Sequence, residues 1–150
     1  MADDRALRLV LDMRKKEEKA ALEEYIQSNQ AILSFENQLK QLREFRNIYN
    51  QELADRTQNG MSMTVFLSYE NFLGKLELVE QRQEKTLQKL RERAEVLRQQ
   101  YLKMQQRRKI IEALLEKHRQ DAIAAELKAE QKLTDDIVSS KQARLLMEKK

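Results

Sequence analysis

Apolar residues recur in steps of three and four along most of this chain. Stepping by four and three from Leu7 visits positions 7, 11, 14, 18, 21, 25, 28, 32, 35, 39, 42, 46, 49 and 53, and ten of the fourteen are apolar. They are Leu7, Leu11, Ala21, Tyr25, Ile32, Phe35, Leu39, Leu42, Tyr49 and Leu53; the exceptions are Arg14, Glu18, Ser28 and Arg46. A 3.5-residue repeat held over seven heptads predicts a coiled-coil helix, because it keeps one stripe turned toward a partner helix. Helix 1 is therefore expected over about 4–56, with Asp3 or Asp4 accepting hydrogen bonds from otherwise unpaired first-turn N–H groups.

The pattern breaks between Asp55 and Ser62, where Asn59-Gly60 forms the one strong turn dipeptide. Gly60 takes a positive φ without steric penalty, and Ser62 or Thr64 offers a side-chain oxygen to start the next helix. Helix 2 is expected over about 64–140, its seam reading Phe72, Leu76, Val79, Gln83, Leu87, Leu90, Ala94, Leu97, Tyr101, Met104, Arg108, Ile111, Leu115, His118, Ala122, Ala125 and Ala129. Two consecutive steps of four before Leu87 predict a stutter that locally unwinds the supercoil. The turn lies about 57–63, and a tail over 141–150 is expected to fray. A hairpin turning near residue 60 pairs residue i with about 120 − i, so residues 117–138 are expected to overhang by roughly 30 Å. That overhang is rich in Ala, which favours helix without packing.

Composition points the same way. Among 150 residues there are two Gly and no Pro, Cys or Trp, where an average protein would carry about eighteen Gly and Pro. Without turn residues the chain cannot fold back repeatedly, which excludes sandwiches, barrels and wound α/β sheets. The fold class is all-α: two long helices in an antiparallel coiled-coil hairpin, one domain over 1–150. The lack of cysteine excludes disulfides, thiol catalysis and Zn-thiolate sites. No secretory h-region or membrane span can be drawn, and a cytoplasmic protein is expected.

Candidate chemistry is sparse. The single histidine, His118, falls on the seam as an expected half-buried neutral imidazole with no second ligand. Glu17-Glu18 and Asp135-Asp136 sit on exposed helix without a pocket to perturb them. With no Gly-rich phosphate loop, the chain is expected to be no enzyme and to hold no metal or cofactor. Ten Lys/Arg between Arg82 and Lys109 face only Glu84, Glu92 and Glu95, a run that suits either plain solvation or an acidic partner. Near the turn, Phe45, Ile48, Phe66 and Leu73 widen the apolar stripe beyond what two helices need. Such excess width fits self-association or a partner protein.

Gln38-Leu-Lys-Gln-Leu-Arg-Glu-Phe-Arg-Asn-Ile-Tyr49, then Asn59-Gly60 and Tyr69-Glu-Asn-Phe72-Leu-Gly-Lys-Leu76-Glu, resemble the flagellar export protein FliJ family. The specific match covers about 38–83, and size and layout agree over the whole chain. The resemblance implies a non-enzymatic soluble component of the flagellar type III export apparatus. It implies a stalk in the centre of the export ATPase hexamer that binds the cytoplasmic domain of the export-gate membrane protein and engages export chaperones. Such a protein meets the inner membrane's cytoplasmic face only through its partners. By the same resemblance the gate-binding positions are Gln38, Leu42, Phe45 and Tyr49 on helix 1, with Phe72, Leu76, Val79 and Gln83 on helix 2. The family pattern has Tyr at 45, Ala at 79 and His at 83, where this chain has Phe, Val and Gln.

The hairpin register groups the same residues independently: Gln38 and Gln83, Leu42 and Val79, Phe45 and Leu76, and Tyr49 and Phe72 each add to 121. A self-associating structural coiled coil and the equivalent stalk of a virulence type III secretion system are the alternatives. Nucleic acid is not an expected partner, because only Tyr101 accompanies the basic run for base stacking.

Overall fold

A computed structural model describes the backbone of residues 2–148 and the side chains of residues 4–148. The fold is all-α, a hairpin of two helices: α1 spans Ala2–Gln58 and α2 spans Met63–Glu148. At the turn, Gly60 has φ 92°, the left-handed conformation that ends a helix with least strain. Ser62 caps α2, its Oγ accepting from Val65 N–H at 3.3 Å and its carbonyl from Phe66 N–H at 3.0 Å. Asp3 and Asp4 lie inside the first turn of α1 rather than ahead of it. The Asp4 carboxylate is engaged elsewhere, and the Asp3 side chain lies outside the described residues. Of the tail at 141–150, residues 141–148 are a continuation of α2, and 149–150 lie outside the described residues.

The helix contacts gather into two compact units, Met1–Lys16 with Gln105–Lys150, and Glu17–Met104. All fourteen stripe positions of α1 are buried or half-buried. On α2 the covered series 66, 69, 73, 76, 80, 83, 87, 90, 94, 97, 101, 104, 108, 111, 115, 118 and 122 alternates in steps of three and four, with Leu102, Gln105 and Glu112 half-buried beside it. No stutter exists. The expected seam strayed to Phe72 and Val79, which are 39% and 40% exposed, while Leu73 is half-buried and Glu80 only 6% exposed.

In the Glu17–Met104 unit, covered positions match in pairs whose numbers add to 122, such as Leu39 with Gln83 and Leu42 with Glu80. This is two more than a hairpin centred on residue 60 gives. The core is thin: Leu39, Leu87, Ala94 and Leu97 are its buried apolar members, and no side chain is fully buried. Glu80 completes it. Its Oε1 accepts from Arg43 Nε at 3.0 Å and its Oε2 lies 3.0 Å from Arg46 Nη1. Burying a carboxylate on an apolar seam is unfavourable unless cations meet it there, and both arginines do so.

In the other unit, Leu7 and Leu11 of α1 and Ile111 and Leu115 of α2 are all half-buried, and Leu11 and Leu115 line one groove between the helices. His118 holds its expected seam position, but it has a partner: Nδ1 lies 2.9 Å from Asp4 Oδ1. That hydrogen bond is the leading cause holding the Asp4 carboxyl below its ordinary value. The pair ends the covered region, because Ala122 is the last half-buried residue of α2. The uncovered stretch is therefore 123–148, about 40 Å of helix, and residues 117–122 are not part of it.

Three outcomes follow from these contacts. Glu80→Ala strands Arg46 on the seam and should cost about 1–3 kcal/mol in urea unfolding followed by circular dichroism. Glu80→Leu combined with Arg46→Leu should instead be neutral or stabilising, since an apolar layer then replaces an ionic one. The Asp4 carboxyl, depressed in the folded state, contributes stability that is present above its unfolded value of 3.8 and lost as pH falls through the folded one. Asp4→Asn should therefore lower the melting temperature at pH 7 and leave it nearly unchanged at pH 2.

Candidate functional site

Two edges flank the seam of the Glu17–Met104 unit, and they differ in chemistry. Residues that follow seam positions form the first edge. Glu36 takes Arg91 Nη2 at 3.0 Å, and Arg43 Nη2 donates to Glu84. These bonds, Glu84 first and Glu80 second, hold the Arg43 guanidinium above its ordinary value. Leu39 and Leu87 floor the groove between the helices on this edge, so the edge is closed by its own charges.

Residues that precede seam positions form the second edge, and near the turn it is apolar. Phe45 of α1 faces Phe72 of α2 with ring centroids 6.4 Å apart, edge to face. Tyr49, half-buried on the seam beneath, lies 4.7 Å from Phe45 and 4.9 Å from Phe72. Tyr69 extends the cluster at 6.3 Å from Tyr49, its hydroxyl donating to Glu52 and its ring lying under Arg56. Aromatic pairs at these separations and tilts contribute attraction beyond their buried area. Val79 continues the edge, and Ile48 and Leu78 are exposed near it at 63% and 54%.

The eight residues singled out from the sequence divide evenly between edge and seam. Gln38, Phe45, Phe72 and Val79 are exposed along the second edge. Leu42, Tyr49, Leu76 and Gln83 are half-buried on the seam below them. Each pair adding to 121 joins one seam residue to one edge residue, which is why the grouping forms a continuous strip. Only Phe45, Tyr49 and Phe72 are in ring contact with one another. Gln83 Oε1 is buried and has no hydrogen-bond partner among the described residues. Phe66 and Leu73, expected beside the seam, are on it.

Sequence reasoning passed over Glu80 and its two arginines, because a charged seam residue reads as an interruption. The available signal was Arg46 on one stripe with an acid near the opposing position on the other.

The His118–Asp4 pair opens onto a groove of about 480 Å³ lined by Arg8, Glu112, Glu116 and Arg119, and no hydroxyl or thiol lines it as a nucleophile. Among the described residues no cluster of His, Cys, Asp or Glu is placed to hold a metal ion. Nor is any described helix long and apolar enough to cross a membrane.

Comparison with known proteins gives one match. No curated protein and no solved structure is similar enough to match. A family model described as the flagellar FliJ protein matches residues 3–145, which takes in both helices, the turn and the whole apolar edge. The chain belongs to the flagellar FliJ protein family.

Proposed function

We propose that this chain is a cytoplasmic stalk of the flagellar export machine that links the export ATPase ring to the export gate. Membership of the FliJ family makes it a component of flagellar export, and a non-enzymatic, structural role is the reading that fits that family. The finer reading rests on one observation: the strip from Gln38 to Val79 exposes Phe45 and Phe72 where the hairpin has no means of covering them. An exposed aromatic pair backed by a half-buried tyrosine is the type of anchor that fills a partner's pocket.

In this mechanism the strip near the turn docks on the cytoplasmic domain of the gate. The start of α1 and the uncovered part of α2 enter the ATPase ring. Helix α2 is continuous over Met63–Glu148 and contributes residues to both the gate strip and the part that enters the ring. Arg82, Lys85, Lys89, Arg93 and Lys103 are exposed on α2 and offer acidic surfaces of the ring or gate a salt-sensitive contact. Export chaperones belong to the same reading as further partners.

Binding of the purified chain to the gate's cytoplasmic domain tests the proposal. Wild type should bind at micromolar strength or tighter. Phe45→Ala and Phe72→Ala should each weaken binding at least tenfold, the loss of about 1.4 kcal/mol or more expected of an interface anchor. Both side chains are exposed, so circular dichroism should show the helices intact. Absence of binding by folded wild type would remove the gate assignment.

A further inference from the structure

Beyond the groove that Ile123 and Glu126 share with Asp4 and Arg8, α2 has no helix beside it among the described residues, yet its surface is not uniformly solvated. Ile123, Leu133 and Ile137 are 43%, 63% and 51% exposed, and Met147 is 80% exposed. Stepping by three and four, positions 123, 126, 130, 133, 137, 140, 144 and 147 form one helix face: Ile, Glu, Glu, Leu, Ile, Ser, Arg and Met. This set maps onto itself when the helix is reversed. Ile123 exchanges with Met147, Glu126 with Arg144, Glu130 with Ser140, and Leu133 with Ile137, each pair adding to 270.

Charge follows the same reversal. Residues 121–136 hold five acids against Lys128 and Lys132, while residues 137–150 hold Lys141, Arg144, Lys149 and Lys150 against Glu148. A parallel pairing of two such helices sets like charge on like. An antiparallel pairing sets the acidic half of each on the basic half of the other. Among the described residues neither Glu126 nor Arg144 makes an ion pair within the chain, so both are available across such an interface.

We infer that residues 123–147 form an antiparallel, two-fold symmetric coiled coil with the same stretch of a second copy of this chain. Leu133 and Ile137 meet their mates at the axis, and Glu126 pairs with Arg144 at two equivalent places. A two-fold axis makes one patch its own partner, and the face needs no second surface elsewhere on the molecule. Four apolar positions per copy make a modest interface, so the dissociation constant should be on the order of 10–100 µM. The inference does not depend on the stalk reading. If both hold, self-pairing occupies the end that would enter the ring and competes with it.

Sedimentation equilibrium of the full chain tests this. Wild type should dimerise reversibly in that range. Glu126→Arg alone and Arg144→Glu alone should each be at least tenfold weaker, and the double variant should recover the wild-type dimer, because the swap restores both pairs. Orientation is read separately, since the chain has no cysteine of its own. An equimolar mixture of Ile123→Cys and Met147→Cys should oxidise to the mixed disulfide in preference to either homodimer. A wild type that remains monomeric at several hundred micromolar overturns the proposal. So does a dimer indifferent to the charge reversals, or one lost instead on Phe72→Ala.

Discussion

Two helices with no third element beside them can bury one stripe apiece, and every other side chain must meet water or another molecule. That constraint accounts for the thin core of Leu39, Leu87, Ala94 and Leu97. It also decides where meaning lies on the surface. In a larger domain, Phe45 and Phe72 beside the seam would be ordinary core. In a hairpin they remain half in water, and the chain keeps them there, clustered on Tyr49. The opposite edge shows the alternative the same backbone permits, with Glu36–Arg91 and Arg43–Glu84 closing the flank by charge.

Much of this was legible in the sequence. The fourteen-position stripe of helix 1 and the turn at Gly60 follow from spacing and turn chemistry, and of the two starts expected for helix 2, Ser62 and Thr64, Ser62 makes the capping bond. Helix 2 near the turn departs from the expected seam for a physical reason. Phe72 and Val79 are more apolar than the seam position Glu80, and a pattern scored on hydrophobicity follows them off the seam, creating a stutter. The information that returns Glu80 to the seam is the pair of arginines on the other helix, more than thirty residues away. The length of the uncovered end was also misjudged, because the pairing of Asp4 with His118 extends the covered region to Ala122. A contact between residues over a hundred positions apart has no local signature.

The helix continues beyond Leu133 despite a weak apolar pattern. The segment loses tertiary packing but keeps Ala124, Ala125, Ala129 and long straight side chains, which leave the helical backbone little entropic disadvantage. It grows directly from a helix already nucleated and packed, so it continues that helix without a new nucleation step. Fold and exposure thus separate here: regular structure without burial is the condition under which a helix presents a face to another protein.

The ionic layer of Arg43, Arg46 and Glu80 links the core to the apolar edge. A coiled coil with a purely apolar seam tolerates a slip of one heptad, since each apolar position then meets another. With Glu80 buried, such a slip turns its carboxylate away from both arginines and toward apolar neighbours, the arrangement with the largest desolvation penalty. The same slip moves the helices past each other by about 10 Å and separates Phe45 from Phe72. The layer that adds least hydrophobic stability therefore holds in place the aromatic pair on which the edge depends. For this reason an apolar replacement of Glu80 and Arg46 is expected to preserve the helices while loosening the alignment of the edge they support.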